Sequence, residues 1–425
     1  MPPASRTALT RASTPDPDVD ELREAGPLVL RRDDMFLPVL AAVLAQAPAA
    51  APAQAPSSEA LDFTKQVKVL FRVVACAGDE PIPAAFDAKV IEAHCKELKR
   101  RADAYKKTWV GEAMPFLQAL KPAGLPTTVV YPFGGGDLIS ALTTYPDATD
   151  ITTMSLEHAG DPRRIDTVTS KELAQSLALI RSTSSGLLVA NDSKTENLMK
   201  GQRGELPGQL SFFLIGLAVH GFEPVSLKYV KPNADGTLRY LSAAELQASE
   251  EKSAKLLHKA WVSPDFSEAF DNLELVFVKK GEDPKTKARV HRHFAQNLAD
   301  SNFDPGMQKF LEGKGRIVAM TKAASYLLWR DHFSLIRNFL LGHMEFMVSD
   351  STGIAPVFAK KAGFEQQAYG KFQESFLGAN PQYNADFREL WKTAKALPFR
   401  YGYLDKNLSK HMLVTFKKPV EAAKP

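Results

Sequence analysis

The chain has 425 residues, 44% of them hydrophobic and 24% charged. These are the proportions of a soluble globular protein, with room for two or three domains. A formal net charge of +4 is too thinly spread to favour a nucleic-acid partner, and the densest basic cluster, Lys99-Arg100-Arg101 with Lys106 and Lys107, falls on a helical pattern and reads as a solvated face.

Residues 1–34 are rich in Pro, Ser, Thr and charge, without apolar periodicity, and read as a disordered leader or a misassigned start. The run from Met35 to Ala45 has an apolar core of about ten residues, too short to span a bilayer. It fits a signal peptide over 35–55, with small-residue cleavage patterns at Ala45-Gln46-Ala47 and Ala53-Gln54-Ala55. Arg31 and Arg32 precede it, but Asp33 and Asp34 stand beside them. A linker over 56–62 then leads into an α/β globular region over 63–425, with 63–240 and 241–425 as candidate halves. The expected location is periplasmic or secreted, with no membrane span once the signal is removed. Cys76 and Cys95 are the only cysteines. An oxidising compartment permits a disulfide between them, worth roughly 3 kcal/mol in the chain-entropy account; a pair of buried free thiols fits the sequence equally well. Their spacing does not suit a metal knuckle, and no metal site is expected.

Gln66 to Val74 is β-branched and apolar and predicts a strand. Asp87 to Tyr105 predicts a helix, with Val90, Ile91, His94, Leu98 and Ala102 at three- and four-residue steps. The next segment, Thr127 to Glu157, is the most informative. An apolar run, Val129-Val130-Tyr131, enters Gly134-Gly135-Gly136-Asp137, a helical pattern follows, and a second apolar run ends at Leu156-Glu157-His158. That is a Rossmann-like strand–glycine turn–helix–strand unit. Lys171 to Ile180 predicts a helix, Gly186 to Ala190 a short buried strand, and Leu210 to His220 a buried helix. Val225 to Tyr240 reads as a hairpin, Ala243 to Trp261 as a helix, and Leu273 to Ala295 as a second hairpin. Arg316 to Met320, Phe333 to Leu341 and Glu345 to Ser349 repeat strand–helix–strand, with Ala323-Ala324-Ser325 where the first unit has its glycines. The predicted fold is α/β, with a mixed, mainly parallel sheet and added β-hairpins.

Gly134, Gly135, Gly136, Asp137, Glu157 and His158 are the candidate ligand-binding residues. Glycine lets a ligand approach the backbone, and a helix N-terminus offers free N–H groups. Glu157 lies 21 residues after Gly136, near the distance at which an acidic residue meets a ribose in dinucleotide folds. Against a cofactor cradle stand the glycine order, which is not G-x-G-x-x-G, and Asp137, which is placed to cap the helix itself. The acidic residue that class I methyltransferases carry just before the turn is replaced by Tyr131-Pro132-Phe133. Glu157 and His158 could do acid/base work, but an ordinary polar loop with an Arg–Asp pair among Asp161, Arg163 and Arg164 is the stronger expectation. His291 and His293 would share one face of a strand, where they could hold Zn²⁺ given a third ligand; with no partner motif they read as a solvent-facing pair. Ser349 to Gly353 reads as a tight turn rather than a cation site. No G-x-S-x-G elbow, P-loop or H-E-x-x-H occurs, so no catalytic residue and no cofactor is named. The partner is an unknown small molecule or protein.

Tyr131-Pro132-Phe133-Gly134-Gly135-Gly136-Asp137, with Leu156-Glu157-His158-Ala159-Gly160, resembles an uncharacterised group of exported bacterial proteins with a Y-P-F-G-G-x-D turn and an L-E-x-x-G segment. Ala323 to Leu328, Asp350 to Ile354 and Leu397-Pro398-Phe399 are similar to other parts of the same pattern. The resemblance implies export and lends no catalytic residues. An exported ligand- or partner-binding protein is therefore the first expectation. An enzyme at the glycine turn, methyltransferase-like or a hydrolase using Glu157 and His158, is the alternative.

Overall fold

The computed structural model describes residues 60–190, 204–254, 267–372, 381–402 and 410–417. The leader, the signal-like segment, and the part of the predicted Ala243–Trp261 helix beyond residue 254 lie outside them. The described residues belong to one compact unit.

A ten-stranded sheet organises it. The strands are β1 (Thr128–Pro132), β2 (Asp150–Ser155), β3 (Phe222–Pro232), β4 (Leu238–Tyr240), β5 (Leu273–Lys279), β6 (Arg289–Ala295), β7 (Ile317–Met320), β8 (Met344–Ser349), β9 (Phe364–Gly370) and β10 (His411–Lys417). Their spatial order is β4-β3-β5-β6-β2-β1-β7-β8-β10-β9. The pairs β6–β2, β2–β1, β1–β7 and β7–β8 are parallel. The other five pairs are antiparallel, so the sheet is mixed α/β as expected but not mainly parallel. The two predicted hairpins supply three of the antiparallel pairings, since β5 also pairs with β3. β9 and β10 supply the rest.

The central strands are buried on both faces, as strands flanked by helices must be. Along β1, Val129 and Tyr131 enter one apolar cluster and Val130 the other; along β7, Val318 and Met320 alternate with Ile317 and Ala319 in the same way. Each of the Val, Ile and Met side chains among these stabilises the fold by about 1.5–3 kcal/mol on full burial. The Gly208–Val219 helix is buried on nearly every side, which explains its unbroken apolar sequence.

Two predicted strands are helical. Thr64–Val74 is a helix, because Val67, Leu70, Phe71 and Val74 recur at helical steps and all are buried. Its β-branched composition hid that period. Gly186–Ala190 continues the Ser170–Ser185 helix in a wide turn rather than forming a strand. Cys76, just past the first helix, is disulfide-bonded to Cys95 on the Ala88–Tyr105 helix, which realises the oxidised alternative. Among the described residues no helix is long and apolar enough to cross a membrane.

Candidate functional site

β1 ends at Pro132, and the glycine turn folds back over the end of β2 through a Gly134 N–H that donates to the Met154 carbonyl at 2.9 Å. Neither Gly134 nor Gly136 has room for a side chain. A Cβ on Gly134 would lie 2.8 Å from the Tyr131 ring and 2.9 Å from its carbonyl oxygen. One on Gly136 would lie 2.4 Å from Gln209 Oε1 and 2.9 Å from Phe212. Gly135 takes the left-handed region, φ +51°, where glycine carries no steric penalty.

The turn opens the Leu138–Thr144 helix, and Asp137 caps it, accepting the Ser140 N–H at 3.3 Å. Its other carboxylate oxygen lies 2.6 Å from Lys322 Nζ and accepts the Tyr131 hydroxyl at 3.0 Å. Lys322 follows β7 and also donates to Ser140 Oγ at 2.8 Å. Asp137 is 0% and Lys322 1% exposed, so a buried ion pair joins the ends of the two central strands. The protein's own carboxylate thus fills the position that a helix N-terminus offers to an anion.

At the end of β2, Leu156 is 63% exposed and the next residue, Glu157, only 2%. The Glu157 backbone is held at both ends. Its N–H donates to Ser155 Oγ at 3.3 Å, and its carbonyl accepts from His293 Nε2 at 2.7 Å. Its carboxylate has no partner at either oxygen. His158 Nδ1 lies 2.7 Å from Asp271 Oδ1. The expected Arg–Asp pair is Arg163 with Asp161, doubly hydrogen-bonded at 3.0 and 2.6 Å; Arg164 pairs with Glu205.

A third element closes this corner. The Gly208–Val219 helix begins beside Ala159, whose carbonyl accepts the Leu210 N–H at 3.2 Å. Gln209, in its first turn, is 0% exposed. Neither atom of its side-chain amide has a partner, although Oε1 lies against Gly136. Two turns of this arrangement therefore present buried polar groups without partners, Glu157 after β2 and Gln209 beside the glycine turn. Buried polar groups are paired in the great majority of folds, and leaving one unpaired costs about 1–3 kcal/mol.

His291 and His293 share a face of β6, as expected, but it is not solvent-facing. Both are fully buried, with the Phe213 ring 4.4 and 5.2 Å from theirs. Thr153 Oγ1 bridges them, 2.9 Å from His291 Nε2 and 3.0 Å from His293 Nδ1. The proton positions follow from the acceptors. Only an N–H on His293 Nε2 can serve the Glu157 carbonyl, so Nδ1 accepts from Thr153, and Thr153 accepts from His291 Nε2–H. Burial pushes His293 down to about 4 and His291 well below its usual value, so both rings are neutral. No group of three His, Cys, Asp or Glu residues arranged to hold a metal occurs among the described residues.

Ser349 to Gly353 is a closed turn. Asp350 Oδ1 accepts the Thr352 N–H at 2.8 Å and also the hydroxyls of Thr352 and Ser325. Of the six predicted site residues, the structure brings the turn residues and Glu157 to neighbouring strand ends and turns His158 toward Asp271. Sequence reading missed Gln209, Lys322 and Asp271. All three come from distant segments, and the one available signal was Gln209, a polar residue opening an otherwise apolar helix. No protein-family model and no curated protein sequence matches the chain.

Proposed function

We propose that this is an exported, soluble protein that binds a small ligand at the carboxyl ends of β1 and β2, on a Rossmann-like unit. The observation that carries the reading is the Glu157 carboxylate, 2% exposed with neither oxygen paired; the Gln209 amide, packed against Gly136, is equally unpaired. The five parallel strands support it: in the order β6-β2-β1-β7-β8 they correspond to the 3-2-1-4-5 order of doubly wound sheets, whose ligands sit beyond the carboxyl ends near the switch between first and fourth strands. The signal-like segment and the Cys76–Cys95 disulfide support an oxidising location.

The test is a thermal-shift screen of the full chain against nucleosides, sugars, amino acids and metals, repeated with Glu157→Gln. Specific ligands raise apparent stability by mass action. Binding that survives Glu157→Gln unchanged would remove the site. The strand order also favours a second reading, a methyltransferase-like enzyme at the same turn. Tight, Glu157-dependent binding of S-adenosylhomocysteine would support it, and recovery of the mature chain in the periplasm would count against it.

A further inference from the structure

We infer that Lys121 is a carbonyl-capturing amine, whose Nζ forms an imine with a small uncharged aldehyde seated in the cavity beside it. The site is independent of the Glu157 reading. It lies at the amino ends of β1 and β2, the opposite edge of the sheet, in a cavity of about 310 Å³. That volume is at the lower end of the roughly 300–1,000 Å³ that ligand pockets occupy. Leu125, Pro126, Val129 and the Tyr145 ring give the cavity apolar walls, and Lys121, Gln118 and Asp147 bring polar groups to it.

Lys121 is half-buried, and among the described residues it makes no ion pair. Its Nζ meets the Thr144 carbonyl, Gln118 Oε1 at 3.3 Å and the face of the Tyr145 ring, 4.3 Å from the centroid. The Tyr145 hydroxyl donates to the Ala319 carbonyl at 2.6 Å, which fixes that ring. Asp147, exposed at the cavity, is the one carboxylate whose charge acts on the amine.

A capping role alone would be redundant. Thr144 ends the Leu138–Thr144 helix, where the last carbonyls need donors, but Gln118 Nε2 already donates to the same carbonyl at 3.1 Å. Lys121 can leave Thr144 without orphaning it. Its two neutral oxygen acceptors suit an amine as well as an ammonium, because –NH₂ gives one hydrogen to each and keeps a lone pair. Burial without a counter-ion works against the charge and pushes Lys121 down to about 8. At neutral pH roughly a tenth of it is then the free amine, against about 0.03% for a lysine at its usual value. Desolvation in an apolar pocket is one way in which a lysine becomes a nucleophile toward carbonyls.

In the step itself, the lone pair forms the C–N bond and one N–H proton passes to the carbonyl oxygen, giving a carbinolamine. The hydroxyl then leaves with the second N–H proton as water, and the imine remains. The charges select the aldehyde. Asp147 repels a carboxylate or phosphate, and among the described residues no cation but Lys121 lines the cavity. An uncharged aldehyde with an apolar body fits both the walls and the field.

The test is limited labelling of the full chain with benzaldehyde and cyanoborohydride at about pH 7, followed by peptide mapping by mass spectrometry. The expected result is a benzyl adduct on Lys121 formed at least about tenfold faster than on the exposed Lys107 and Lys285. The advantage should be greatest up to about pH 8 and shrink toward about pH 10, where exposed lysines also become neutral. It should vanish in urea above the unfolding transition. Measured against Lys107, 4-carboxybenzaldehyde should lag benzaldehyde at Lys121 by about fivefold or more. Labelling of Lys121 no faster than of Lys107 would overturn the inference, as would an advantage that grows with pH. Equal reaction of the two aldehydes would overturn the uncharged class. Every comparison is made within the wild-type chain, so none depends on a variant that folds.

Discussion

Substituting Asp137 separates a helix cap from a buried charge. As a cap alone, its loss to Ala would cost about 1 kcal/mol. The structure gives it a larger share. Asp137 is fully buried, faces Lys322 at 2.6 Å and accepts the Tyr131 hydroxyl at 3.0 Å. Removing it leaves the Lys322 ammonium, 1% exposed, without that counter-charge, and breaking a buried pair from one side costs about 3–5 kcal/mol. Asp137→Ala is therefore expected to lose about 4–6 kcal/mol, cap included, a large share of the ~5–15 kcal/mol that holds a typical domain together. Asp137→Asn keeps an acceptor for Ser140 and lowers the loss to about 3–4 kcal/mol. The double change Asp137→Asn with Lys322→Met removes both charges and should recover at least about 2 kcal/mol of it, since an apolar replacement of a whole buried pair is often neutral. Urea unfolding of the wild type, Asp137→Asn, Lys322→Met and the double variant, with the disulfide intact, gives the coupling directly. Strictly additive single losses would refute the argument, as would an Asp137→Ala loss near 1 kcal/mol.

Gly136→Ala places a methyl 2.4 Å from Gln209 Oε1 and should cost about 1–3 kcal/mol; an unchanged urea midpoint would show that Gln209 moves freely and is not held in the corner. Replacing Cys76 and Cys95 together by Ala releases the closed loop and should lower stability by roughly 3 kcal/mol, and addition of a reductant to that variant should change nothing further. Burial holds His94 and His293 down at about 4 and His291 well below its usual value. Below about pH 6.5 the unfolded chain binds protons that the folded chain refuses, so stability is greatest above 6.5 and falls toward pH 4, by up to about 1.4 kcal/mol per pH unit for each histidine. Chemical-denaturation midpoints that stay flat between pH 6.5 and 4.5 would contradict the neutral burial of these rings.

The strand–turn–helix–strand unit around Gly134 was legible because its cues are local: an alternating apolar run, three glycines, an acidic cap and a second run. The same local reasoning failed over Gln66–Val74, where β-branched residues outweighed a helical period that only the burial of Val67, Leu70, Phe71 and Val74 makes plain. It also missed β9 and β10, whose mixed polar and apolar residues carry no strong period, and so overestimated the parallel share of the sheet. At the site, the spacing of Gly136 and Glu157 pointed to neighbouring strand ends. The orphaned state of Glu157, the Lys322 counter-ion and the histidine bridge through Thr153 depend on residues that meet only after folding. One-dimensional patterning has no access to such meetings. The solvent-facing reading of His291 and His293 failed for that reason: their strand is central, with β5 on one side and β2 on the other.

The interleaving of the sheet has a consequence for the order of assembly. β1 and β2 are made early, yet the neighbours that complete them, β7 and β6, come from far down the chain: Val130 pairs with Ala319 and Ile151 with His291. Non-local parallel pairings of this kind form slowly, because the loop must close before any contact rewards it. Until β6 arrives, the Glu157 carbonyl lacks its His293 donor, and until β7 arrives, Asp137 has no cation. A nascent or truncated chain ending before Lys322 would thus carry an uncompensated acidic turn in water, and this corner would be among the last parts of the molecule to become dry.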